Sequence, residues 1–151
     1  MNSTYAEGPN FAITVEDGVA TCRIWARPDL SWAEGAGTAD TIAKALQALA
    51  AGPRDRARGL VLDERQAPPV VGPRTEAAIG ELLSAWERRG RRVAYALGNN
   101  PVKSLQMRRL MAQWTPKHGR AFATIEEAHA WACAADADTP LSTKLPTPPA
   151  K

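Results

Sequence analysis

Apolar and polar positions alternate over residues 11–16, break at Asp17-Gly18, and alternate again over residues 19–25. Two period-two runs joined by Asp-Gly predict a β-hairpin, because Asp-Gly suits the positive-φ positions of a tight type I′ turn. Phe11, Ile13 and Val15 then share one face. On the second strand Ala20, Cys22 and Ile24 are expected to join them, leaving Arg23 in water and turning Trp25 away from the core. Residues 28–37 read as a loop, although Ser31-Trp32-Ala33-Glu34 has the spacing of a capping box. Ile42, Ala45, Leu46 and Leu49 follow at the helical period, and Gly52-Pro53 ends that helix. Residues 59–63, Gly-Leu-Val-Leu-Asp, form the continuous apolar run of a strand covered on both faces.

The second half alternates helix and strand. Residues 67–72 make a stiff loop containing Pro68, Pro69, Val70 and Val71, and Pro73 suits the first turn of a helix. Ile79, Leu82, Leu83 and Trp86 form its apolar stripe, and Gly90 stops it. Residues 92–97 resume strand character and 98–101 form a turn. A helix over 101–114 carries Met107, Leu110, Met111 and Trp114 on one face. A short strand over 120–123 leads into Thr124-Ile125-Glu126-Glu127, a capping box that opens a last helix with Ala128 and Trp131 inward. The predicted order is ββαβαβαβα: a single layered α/β domain over residues 11–135, with a mixed, mostly parallel sheet of about five strands. Residues 1–10 are expected to be a flexible N-terminus. Residues 136–151, rich in Pro and Thr, are expected to be a disordered tail.

Composition narrows the setting. The chain is 151 residues long with 44% hydrophobic residues, and no apolar run nears the length that crosses a membrane. The first ten residues lack the basic start and apolar stretch of a secretory signal, so a cytoplasmic location is expected. Cys22 and Cys133 read as structural thiols rather than a disulfide. The charge is uneven: residues 1–85 carry eight Lys or Arg against eleven Asp or Glu, whereas residues 86–120 carry nine basic groups against the single acid Glu87. Arg88, Arg89, Arg91, Arg108 and Arg109 are therefore candidates for a basic face that docks an acidic protein. Nucleic acid is disfavoured as a partner, because Trp86, Tyr95 and Trp114 fall on predicted core positions instead of forming stacking platforms. His118 and His129 have no ligand-spaced neighbours, so no metal is expected. The glycines match no phosphate-cradling pattern, and no cofactor is expected.

Three stretches carry a family resemblance: residues 59–63 as central strand, residues 91–96 as the next strand, and residues 119–131, where a short strand with Phe122 leads into Glu126-Glu127-Ala128 and Trp131. Together they resemble the STAS / SpoIIAA-like (anti-sigma-factor-antagonist-like) superfamily, nearer its divergent bacterial branch. The resemblance implies a non-catalytic protein-interaction or regulatory module with a protein partner. In that family a hydroxyl residue after an aspartate, between the central strand and the next helix, is phosphorylated to switch partner binding. Here no Asp-Ser pair occurs in that loop, and Thr75 is the nearest hydroxyl and the candidate phosphosite.

The residues themselves leave other readings open. The carboxyl end of the central strand could form an anion or small-molecule site from Asp63, Arg65, Val71 and Asn99. Trp25, Trp32, Pro69 and Val70 are candidates for a partner surface, and the hairpin edge could pair with a second copy to give a homodimer. A catalytic set of Asp63, Thr75 and His118 is conceivable only if the fold brings them together, and no enzyme activity is expected.

Overall fold

The computed structural model describes residues 3–68 and 72–134, the side chain of Trp32 excepted. Six strands lie side by side in chain order: β1 (Ser3–Gly8), β2 (Phe11–Glu16), β3 (Val19–Trp25), β4 (Gly59–Gln66), β5 (Arg92–Ala96) and β6 (Gly119–Phe122). The pairs β1–β2 and β2–β3 are antiparallel, and β3 to β6 are parallel. The helices are α1 (Trp32–Ala51), α2 (Pro73–Arg88), α3 (Pro101–Trp114) and α4 (Ile125–Cys133). The α1–α3 helices connect parallel strands and share one core with Phe11, Ile13, Cys22, Leu60, Leu62 and Val93. The α4 helix covers the other face over Val19, Val61, Ala94 and Ala96. A mixed, mostly parallel sheet with alternating strands and helices is thus what the hydrophobic pattern predicts.

The hairpin forms as its turn chemistry demands, with Asp17 at φ 55° and Gly18 at φ 76°. Its register pairs Glu16 with Val19 and Ile13 with Cys22. Phe11, Ile13, Ala20 and Cys22 are buried and Arg23 is exposed, as the strand phase requires.

Two expectations are corrected. Residues 3–8, expected to be flexible, add a sixth strand as the sheet edge. Its pairing with β2 slips between Thr4 and Ala6, and both Tyr5 and Ala6 pack on the α1–α3 core. Two successive residues on one face erase the period-two signal. The α1 helix also starts earlier than its apolar stripe. The Ser31 hydroxyl accepts from the Glu34 amide at 3.1 Å, and the Glu34 carboxylate accepts from the Ser31 amide at 2.7 Å. This complete capping box carries Gly35 and Gly37 into a helix that their propensity opposes.

One buried cation binds the helical layer together. The last turn of α1 has no basic residue, so its carbonyls need an outside donor. Arg91, on the approach to β5, supplies it. Its Nη1 donates to the carbonyls of Leu49 (3.2 Å) and Ala57 (2.9 Å), and its Nη2 to that of Gly52 (2.8 Å). The guanidinium lies 5.8 Å from the ring centre of Trp86, whose Nε1 donates to the Leu46 carbonyl at 3.1 Å. Arg91→Met, which keeps the packing stem but no donor, is expected to lower unfolding free energy by about 3 kcal/mol in urea titrations. Arg91→Lys should recover only part, since a point charge cannot serve three carbonyls in the guanidinium plane.

Candidate functional site

Bound at their C-terminal ends, α1 and α2 leave a cleft between their N-terminal halves. The cause is side-chain size along α1. Leu46 and Leu49 fill the space beside Trp86, whereas Gly35, Ala36 and Ala39 face the opposite end. The cavity is about 280 Å³ and is walled by Ile24, Ile42, Leu62, Ile79, Leu82 and Met107. It opens over the carboxyl ends of β3 and β4, where open α/β sheets place ligands. On its outer side Arg74 of α2 and Asp40 of α1 form an exposed ion pair at 2.5 Å.

The lining is apolar except for a few groups. Glu64 of β4 is only 6% exposed. Burial pushes its carboxyl above the ordinary range; the positive charge of Lys103 opposes this and the charge of Asp63 adds to it. Lys103, in the first turn of α3, is 2% exposed, and its Nζ donates to the carbonyl of Ala67. Burial pulls Lys103 below its ordinary value, against the charges of Glu64 and Asp63. Arg27 is already engaged by Asp29, at 2.7 and 2.6 Å, and by the Pro9 carbonyl at 2.8 Å. The Thr38 hydroxyl donates to the Glu34 carbonyl at 2.9 Å. Asn10 Oδ1 is buried without a hydrogen-bond partner among the described residues.

The structure distributes the expected site residues differently. Asp63 and Arg65 point to the α4 side of β4, away from the cavity, and close on each other with two bonds of 2.8 Å. Burial favours the neutral acid at Asp63, but the hydrogen bonds and charge of Arg65 outweigh it and hold the carboxyl below its ordinary value. The Arg65 side chain packs beside Gly98, and Asn99 is exposed in that same turn. Val71 lies outside the described residues, as do Pro69 and Val70. Thr75, in the first turn of α2, lines the cavity and is half-buried. Trp25 is half-buried with Arg23 over its ring at 5.3 Å, and Trp32 begins α1.

The five arginines do not form one face. Arg91 is interior, Arg88 and Arg89 are exposed around the end of α2, and Arg108 and Arg109 are exposed on α3, where Arg109 reaches Glu76 at 3.5 Å. Asp63, Thr75 and His118 do not meet either. His118 sits at the amino end of β6, its carbonyl accepting from Val93, while Asp63 pairs with Ala96. Three strand positions separate those levels, roughly 10 Å. Among the described residues no group of three His, Cys, Asp or Glu is placed to hold a metal ion. No helix among them is long and apolar enough to cross a membrane.

Neither Glu64 nor Lys103 is among the site residues expected from the sequence, yet both carry a signal there. Continuing the alternation from Leu60 and Leu62 puts Glu64 on the same apolar face. Lys103 precedes Met107, Leu110 and Trp114 at helical spacing on the buried stripe of α3. No family model, curated protein or solved structure matches the chain. Fold and cleft therefore define it as an α/β domain with a largely apolar cavity that has the buried Glu64 in its lining and the buried Lys103 nearby.

The burial of Glu64 sets a pH dependence. Because its folded-state pKa is raised, Glu64 costs stability as pH climbs from its ordinary value of 4.5 through the higher folded value. Lys103→Met removes the opposing charge, raising the Glu64 pKa further and extending that decline. Unfolding titrations from pH 4 to pH 8 are expected to show the variant falling progressively behind the parent as pH rises. Adding Glu64→Gln should remove this pH-dependent loss.

Proposed function

We propose that the chain is a non-catalytic regulatory module of the STAS-like kind, working in the cytoplasm, whose input is a small molecule held in the α1–α2 cleft. One observation carries this reading: an apolar cavity of about 280 Å³ with a buried carboxyl in its lining. An apolar cavity of about 150 Å³ suffices to bind benzene, and dedicated pockets begin near 300 Å³. The position where STAS-like proteins carry their switching hydroxyl corresponds most nearly to Thr75, which lines this cavity. In this reading occupancy of the cleft, rather than a phosphate, alters the surface offered to a protein partner or a second copy.

The non-catalytic part of the reading draws support from the same geometry. Asp63 is neutralised by Arg65, and His118 lies at the other end of the sheet with its Nδ1 3.2 Å from Glu87. The test is a fragment screen on the full chain followed by methyl NMR. Binders are expected to shift Ile42, Ile79 and Leu82 and to be recovered unchanged after prolonged incubation. Ala39→Phe, which fills the cleft from α1, should abolish those shifts while leaving the amide spectrum folded. Binders that ignore Ala39→Phe would remove the basis of the reading, and a binder converted to product would end the non-catalytic part.

A further inference from the structure

We infer that the cleft selects a compact, uncharged molecule, mostly hydrocarbon, whose polar end donates a hydrogen bond to Glu64. The inference rests on the reading of the cleft as a ligand site and specifies what that site admits. Size comes first. At about 280 Å³ the cavity is nearly twice one that holds benzene, which corresponds to roughly a dozen non-hydrogen atoms. Among the described residues of the lining the one basic group, Arg27, is committed to Asp29 and the Pro9 carbonyl.

Charge decides the rest. A carboxylate or phosphate guest would have to shed its water in a largely apolar space beside another acidic group, a cost that grows as the local dielectric falls. A cationic guest would bring a second positive charge within the influence of Lys103, and would itself have to be stripped of water. A neutral guest avoids both penalties. Two acceptors await it, the Glu64 carboxyl and the buried, unpartnered Asn10 Oδ1, so its head should carry an O–H or N–H. The Ser31 and Thr75 hydroxyls, which rotate, can adapt to the remaining lone pair. Phenols, indoles and short-chain aromatic alcohols or amides belong to this class.

The experiment titrates the full chain with four probes sharing one ring system: 2-naphthol, naphthalene, 2-naphthoate and 2-naphthylmethylammonium, read by the methyl shifts of Ile42 and Leu82. The 2-naphthol probe is expected to bind about tenfold more tightly than naphthalene, the worth of one well-made hydrogen bond, and more tightly than either ion. Glu64→Gln, whose amide oxygen still accepts, should keep that preference, and Glu64→Leu should bring 2-naphthol down to the level of naphthalene. If Glu64→Leu disturbs the fold, the ranking of the four probes on the parent chain decides alone. Tightest binding of either ion, or equal binding of 2-naphthol and naphthalene, would overturn the inference while leaving the cleft a ligand site. No methyl shift with any probe would defeat the inference and the ligand-site reading together.

Discussion

A single guanidinium holds together the pieces on which everything else in this fold rests. Arg91 reaches from the start of β5 to the end of α1 and to the connection into β4, and Trp86 closes the space beneath it. Parallel strands oblige α1 and α2 to run side by side, so joining them firmly at one end leaves their separation at the other to the side chains found there. Bulk at Leu46, Leu49 and Trp86 and near-absence of bulk at Gly35, Ala36 and Ala39 produce a wedge. The cleft is the open end of that wedge, and it needs no special loop to form.

Glu64 and Lys103 are hard to explain as stabilising elements. Both lie in the interior, where the loss of hydration opposes their attraction, and apolar residues of similar volume often serve a core as well or better. Their position supplies another reason. Glu64 lines the cavity, and Lys103 stands in the first turn of α3, one helical turn before Met107, which also lines it. Glu64 gives an otherwise largely apolar lining a polar group, and Lys103 is buried close enough for its charge to act on it.

Much of this architecture was legible in the sequence. The hairpin phase, the buried run at Leu60–Leu62, the stripe at Leu82, Leu83 and Trp86 and the capping box at Thr124 all appear where the hydrophobic period places them. The site was less legible, for physical reasons. Asp63 and Arg65 are conspicuous side by side, but β4 sends both to the face opposite Glu64, where they satisfy each other. An adjacency in sequence is a separation across a sheet. Arg91 likewise reads as one of a basic cluster, because nothing local reveals that α1 ends short of a donor. The cleft depends on which small residues of α1 meet which residues of α2, a distance relation that no single segment encodes.

The slip in pairing at Tyr5 has a consequence for how molecules of this protein can meet. A strand border is ordinarily an invitation to lengthen the sheet with a neighbour's backbone, and such lengthening has no natural stopping point. Here one border is kinked where its hydrogen-bonding ladder would have to continue, and the opposite border, β6, spans only Gly119–Phe122. Neither presents a long, flat template. Along both borders of the described sheet, open-ended stacking of main chains therefore finds no extended ladder to copy.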